Sequence, residues 1–276
     1  MQPTVPARPA VFRHGDRAPA RERALPEETA LALTYNRETH AVMMGTPADL
    51  EDFAVGFSLT EGVVEHPDQV EELEVVAAEH GAELRMWLAA DRIAATQARR
   101  RRIAGPTGCG LCGIDSLREA VRPPRRVVGG AVFTPAAIAE AQRAMEDRQP
   151  LGAETRAVHA AGLWHPSRGL LHVREDVGRH NALDKLVGAA ARAGDDAGGC
   201  LLLLSSRVSI EMVQKACVLG AAVLVAISAP TAHAVRLAEA AGLTLVGIAR
   251  ADGFEVFTHP QRILPDNTMH SVLHVA

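Results

Sequence analysis

The 276-residue sequence is short of several things, and each shortage excludes a class of function. Aromatic residues are only 3% of the chain, too few for a base-stacking platform. Basic residues do not dominate: 29 Lys and Arg face 33 Asp and Glu, for a net charge of -4. A generic nucleic-acid binder is thereby excluded. No run approaches the ~20 uncharged apolar residues that a membrane span needs. The first thirty residues carry Pro and Arg but no apolar segment of a secretory signal. Cysteines are sparse, at positions 109, 112, 200 and 217, so a disulfide framework is not expected and a reducing cytoplasm is. What is present, 47% hydrophobic and 22% charged residues, suffices for a real core. The length fits two domains of ordinary size.

Composition divides the chain into four stretches. Residues 1–28, rich in Pro and Arg and without a period, read as a flexible N-terminal arm. Residues 29–104 read as an α+β domain. Leu31–Tyr35 and Thr39–Met44 form a hairpin pattern, Thr46-Pro47 looks like an N-cap followed by proline in the first helical position, and Leu50, Phe53, Ala54 and Phe57 recur at helical spacing. Leu73–Ala78 and Leu84–Leu88 suggest strands. Residues 105–126 are a Gly- and Pro-rich loop and linker, preceded by Arg99–Arg102. Residues 127–276 alternate helical and apolar strand patterns, the signature of parallel βαβ units with helices on both faces. The overall class is α/β.

Cys109-Gly-Leu-Cys112 is the sharpest local feature. Gly108, Gly110 and Gly113 leave little side-chain cover, and the arginine run upstream supplies positive charge that would favour a thiolate if the loop folds back. The pair fits half a zinc site, a redox dithiol or a sulfur-carrying nucleophile. A second Cys/His knuckle for zinc is missing, with His159, His165 and His180 scattered, so no structural metal is expected. Cys200 and Cys217, in apolar surroundings, read as buried inert thiols.

The densest polar stretch runs from Arg174 to Lys185 and holds Asp176, Arg179, His180, Asn181 and Asp184 around a glycine and a helix start. It reads either as a well-capped helix with a solvated face or as an anion site at a helix N-terminus. Ser205-Ser206-Arg207 with Ser209, Ser228–Thr231, and Arg250 beside Asp252-Gly253 also fall where strands end. Each serine or threonine alone is explained by N-capping. Together the clusters point to a phosphate- or nucleotide-bearing ligand at one sheet edge.

At these residues the chain resembles the FdhD family of formate dehydrogenase accessory sulfurtransferases. The resemblance runs from about Pro26 to Ile263. It rests on Thr46–Gly56 with Thr60-Glu-Gly62, the Cys109/Cys112 pair, Glu175-Asp-Val-Gly-Arg-His-Asn-Ala-Leu-Asp-Lys185, Arg207-Val-Ser209 and Leu245–Arg250 through Phe257–Arg262. It implies a three-layer α/β/α, cytidine-deaminase-like C-terminal domain beside a smaller α+β domain. The deaminase zinc signature is absent from the sequence, so deaminase chemistry is not implied. The implied function is that of a sulfur carrier. A cysteine desulfurase loads a persulfide on Cys109, Cys112 either assists the transfer or resolves the persulfide, and the sulfur passes to the molybdenum of Mo-bis(molybdopterin guanine dinucleotide), bound as substrate, before insertion into formate dehydrogenase. The implied cofactor-binding segment is Ile248, Ala249, Arg250, Ala251, Asp252 and Gly253, joined by Arg179, His180, Asn181, Ser206 and Arg207. GDP is the natural fragment ligand, and a homodimer is implied. The competing class is a chaperone that holds the cofactor without moving sulfur. Glycines 105, 108, 110 and 113 are expected to let the cysteine loop close over the bound cofactor. In three places the chain departs from the family pattern: Thr155-Arg-Ala-Val-His159 lacks two glycines, Ser206 stands where a glycine precedes Arg207, and Ile248 stands where an aromatic is common.

Overall fold

The computed structural model describes residues 1–14, 16–90, 92 and 124–265. The cysteine pair, its glycine loop and the Arg99–Arg102 run lie outside the described residues.

Within the arm, β1 (Thr4–Ala7) pairs antiparallel with β4 (Arg23–Pro26), and β2 (Val11–Arg13) pairs with β3 (Asp16–Ala18). Expected to be loose, the arm is therefore ordered as two small ladders. Edge strands tolerate proline, which is why Pro6 does not prevent pairing. Arg23 Nη2 also donates to the Thr155 carbonyl at 3.2 Å, tying the arm to the second half of the chain.

β5 (Thr29–Tyr35) and β6 (Glu38–Gly45) form the expected hairpin. Its turn residues Asn36 and Arg37 both take positive φ, 49° and 72°, which matches the twist of the strands. β7 (Val70–Ala78) and β8 (Gly81–Leu88) complete a sheet of order β6-β5-β8-β7, with β5 and β8 parallel. Ala82, Leu84, Met86 and Leu88 alternate inward and meet Phe53, Ala54 and Phe57 of α1 (Leu50–Thr60). Thr46 does not cap this helix. Asp49 holds the N-cap position instead, in a left-handed conformation and with no side-chain cap bond, and Thr46 is buried against the second half of the chain.

That second half is built on a six-stranded sheet. β9 (His159–His165) and β10 (Gly169–Asp176) form an antiparallel hairpin, β11 (Leu201–Leu204), β12 (Val223–Ala226) and β13 (Thr244–Arg250) are parallel, and β14 (Gly253–Val256) closes the far edge antiparallel. The order is β10-β9-β11-β12-β13-β14, so the sheet is mixed rather than wholly parallel. α2 (Pro135–Glu146), with Thr134 accepting from the Ala137 N–H, lies on one face and packs with Trp164, Leu201, Leu203 and Val223. α4 (Arg179–Ala193), α5 (Ile210–Leu219) and α6 (Ala232–Ala241) cover the other face over Leu202, Leu204, Leu224 and Leu245. Three layers result because β11 and β12 bury every residue, so both their faces must be covered. The short helix α3 (Pro150–Thr155), with no periodic signal in six residues, was not foreseen.

α1 is sandwiched between the first sheet and α4. A β-carbon built on Gly56 would sit 1.7 Å from the Asp184 carbonyl oxygen, and one on Gly188 would sit 1.9 Å from that of Asp52. The two helices thus touch backbone to backbone, each at its own glycine. Alanine is the better helix former by about 1 kcal/mol, but the overlap outweighs that gain. Gly188→Ala is expected to destabilise the fold by at least about 3 kcal/mol in urea unfolding. Unchanged stability would mean that the helices do not cross at this distance.

Candidate functional site at the sheet edge

β10 runs antiparallel to β9, and β9 runs antiparallel to β11, so β10 ends on the same edge as β11, β12 and β13. That edge gathers Asp176 to Asn181, Ser205 to Ser209, Ile227 to Thr231 and Ile248 to Gly253, with His159 at the start of β9. The sequence clusters do converge. They differ sharply in what their side chains do.

Asp176, Asn181 and Lys185 hold the molecule together. Asp176 and Lys185 are each fully buried and pair at 2.7 Å. Asp176 Oδ2 also accepts the Thr46 N–H at 2.9 Å, while Oδ1 accepts the Gly178 N–H at 2.7 Å and Asn181 Nδ2 at 3.1 Å. Asn181 Nδ2 donates to the Met44 carbonyl at 2.8 Å, and Lys185 Nζ to the Thr46 carbonyl at 2.9 Å. Thr46 Oγ1 accepts the Val177 N–H. The amide nitrogen of Asn181 is thus committed to fastening β6 to the start of α4, a structural role where the sequence suggested a ligand contact. Asp184 likewise accepts from Lys215 Nζ at 2.8 Å and Thr60 Oγ1 at 2.6 Å, joining α1, α4 and α5. Burial opposes charge on Lys215, but Asp184 and Glu61 outweigh it and hold the ammonium above the ordinary lysine range.

Arg179 and His180 occupy the first turn of α4, whose N-cap Gly178 offers no side-chain cap. Arg179 Nε, His180 Nε2, Ser209 Oγ and Glu211 Oε2 are all buried with no hydrogen-bond partner. Burial, then the neighbouring charges of Arg179 and Lys215, push His180 down to about 4, so its imidazole is neutral at physiological pH. His159 is lowered as well, by burial first and Arg179 second. Glu211 was not singled out from sequence. A carboxylate in a helix's first turn reads as a partner of the helix dipole, and nothing local reveals that its oxygen ends up buried and unmatched.

Arg207 and Arg250 are exposed where β11 and β13 end. Ser206 is buried and donates its hydroxyl to the Arg207 carbonyl at 3.0 Å, so it shapes the loop. Ile248 lies in a bulge of β13 with φ 51°, and its N–H donates to the Ser228 carbonyl at 3.2 Å. A β-branched residue in the left-handed region stores strain of about 1–3 kcal/mol, which is characteristic of functional segments. Ala249 is buried and its carbonyl accepts from Gln142, whereas Ala251, Asp252 and Gly253 form the exposed turn. Cys200 and Cys217 are buried, and burial raises their thiols to about 11 and about 12, so neither is a nucleophile. Among the described residues no group of His, Cys, Asp and Glu is arranged to hold a metal ion, and no helix is long and apolar enough to cross a membrane.

The FdhD/NarQ family model matches residues 26–264. The chain belongs to that family. The sulfur carrier protein FdhD of Agrobacterium fabrum is 52% identical over 88% of this chain and 90% of its own. The protein of the same name from Xanthomonas campestris is 46% identical over 95% of both chains. Among solved structures, a chain from Desulfotalea psychrophila described as a formate dehydrogenase accessory protein superposes with a TM-score of 0.74 at 26% identity, covering 95% of this chain and all of that one. The resemblance read from the motifs therefore holds along almost the whole folded length. For this family member, the motif from Glu175 to Lys185 divides by depth. Its buried half fastens the two parts of the fold, and its first helical turn faces the sheet edge.

Two measurements check this division. Lys185→Met leaves Asp176 buried without its cation and is expected to cost about 3–5 kcal/mol of stability in chemical denaturation. A loss below 1 kcal/mol would place the pair in solvent. His180 should confer a pH dependence of defined sign. Its folded value lies below the ordinary 6.5, so between 6.5 and about 4 the unfolded chain binds the extra proton. Stability then falls as pH drops through that window, with a slope of at most about 1.4 kcal/mol per pH unit. The difference between wild type and His180→Gln isolates this contribution, and parallel profiles for the two proteins would refute it.

Proposed function

We propose that this chain is a cytoplasmic sulfur carrier that serves formate dehydrogenase maturation. Its substrate is Mo-bis(molybdopterin guanine dinucleotide), held at the C-terminal edge of the second sheet. The observation that carries the reading is the near-full-length likeness to proteins named as sulfur carriers, in a chain whose sequence holds a glycine-flanked Cys109/Cys112 pair. The donor set supports it from the structure. Two exposed arginines stand at strand ends, and the N-termini of α4 and α5 lack side-chain caps, an arrangement suited to phosphates.

In this reading the Cys109 thiolate attacks the terminal sulfur of a cysteine desulfurase persulfide. The donor's S–S bond breaks, its cysteine leaves as a thiolate, and a persulfide forms on Cys109. Cys112 then attacks Cys109 Sγ, the persulfide S–S bond breaks, the outer sulfur leaves at sulfide level for the molybdenum, and the Cys109–Cys112 disulfide left behind is reduced by a cellular dithiol. Arg207 and Arg250 hold phosphates of the dinucleotide, and Ile248 to Gly253 line its path. The carrier works as a homodimer and hands the finished cofactor to formate dehydrogenase.

Incubation with desulfurase and cysteine, followed by mass spectrometry, is expected to add one sulfur to the Cys109 peptide. Cys109→Ala should abolish formate dehydrogenase activation while leaving GDP binding intact. Full activation by the purified Cys109→Ala protein would rule out sulfur carriage and favour a chaperone that only holds the cofactor.

A further inference from the structure

Residues 1–25 precede the stretch that carries the family likeness, which begins at residue 26. They form the ladders β1/β4 and β2/β3. A two-stranded ribbon is marginally stable in water unless something covers one of its faces. Arg23, at the base of this ribbon, reaches the Thr155 carbonyl. Farther out, Val5 and Leu25 stand opposite each other in the ladder, each 40% exposed, and Phe12 is 66% exposed. Large apolar side chains gathered on so thin an element mark a surface that meets a partner.

A matching surface lies on the first sheet. In β6, Ala41 and Met43 pack toward the core beneath α1, so Val42 and Met44 point to the outer face, where they are 56% and 49% exposed. Their cross-strand partners in β5 are Ala32 and Ala30, too small to shield them. α1 covers the inner face, and the arm of the same chain leaves Val42 and Met44 open. An antiparallel sheet face that meets water is ordinarily polar; this one is apolar at its β6 end.

Charge selects the occupant. Residues 1–25 hold five arginines against Asp16 and Glu22, whereas residues 26–92, which build the first sheet and α1, hold 15 Asp and Glu against three arginines. A basic ribbon with apolar side chains and an acidic sheet with an apolar patch are complementary, and both belong to this chain. Arm against arm, or sheet against sheet, would set like charges together. We propose that the arm of one protomer lies on the outer face of its partner's first sheet, with Phe12 and the Val5/Leu25 pair seated against the Val42–Met44 patch. Two such contacts related by a two-fold axis close a dimer. The proposal rests on the homodimer reading above and adds where the two copies meet.

Sedimentation of the full chain over a concentration series tests it. Wild type is expected to dimerise, and to do so more weakly as salt is raised. Phe12→Ser and Val42→Lys should each raise the dimer dissociation constant at least about ten-fold. Circular dichroism of each variant confirms that it is folded. An equimolar mixture of the two variants should dimerise more tightly than either alone. The Val42→Lys chain keeps an intact arm and the Phe12→Ser chain an intact sheet, so one of the two contacts is restored. If wild type dimerises and both variants dimerise equally well, the arm contact is overturned while the homodimer stands. If both variants are weakened and mixing restores nothing, arm and patch do not meet, and the proposal is again overturned. If wild type is a monomer throughout, the homodimer reading falls and takes the arm contact with it.

Discussion

The contact between α1 and α4 is the constraint on which the rest of the molecule depends. Gly56 and Gly188 remove the side chains that would hold two helices at their ordinary separation, so each glycine faces a carbonyl of the other helix. At that distance polar groups flanking the crossing are cut off from water and must be satisfied within the protein. Asp52 is met by Arg174 and Arg192, Asp184 by Lys215 and Thr60, and Asp176 by Lys185, Thr46 and Asn181. The close approach and the buried charges are one arrangement. A larger residue at either glycine would open the gap and leave these pairs badly spaced, a costly outcome for buried ions.

This arrangement also positions the edge where the polar clusters converge. α4 begins immediately after β10, so the residues that lock α4 to the first half fix its opening turn as well. Arg179 and His180 are therefore displayed by a helix fastened to the first half by buried bonds, while the exposed arginines sit on loops at strand ends. The edge combines a rigid, buried, charge-balanced part with an open cationic part. Strain at Ile248 fits the same picture, because a bulge held by the Ser228 carbonyl re-aims the end of β13.

Much of the fold was legible in the sequence. The hairpin around Asn36-Arg37, α2 after Thr134-Pro135, and the all-buried strands Leu201–Leu204 and Val223–Ala226 each carry a local signal in turn chemistry, capping or apolar runs. Less legible were features set by distant partners. Thr46-Pro47 has the local form of a helix start, yet Thr46 serves Asp176 and Val177, more than a hundred residues away in sequence. The ladders in the arm, α3, and the antiparallel placement of β9 and β10 are likewise settled by pairing rather than by period.

The candidate site divides the same way. By itself the sequence determined the family, the strand-end positions of Arg179, Arg207 and Arg250, and the inertness of Cys200 and Cys217, because residue type and spacing carry those facts. Only the tertiary structure decided that Asp176, Asn181 and Lys185 are fasteners and that Ser209 Oγ and Glu211 Oε2 are buried without hydrogen-bond partners. Burial and hydrogen bonding across an interface depend on which surfaces meet, and here two glycines far apart in sequence set that meeting.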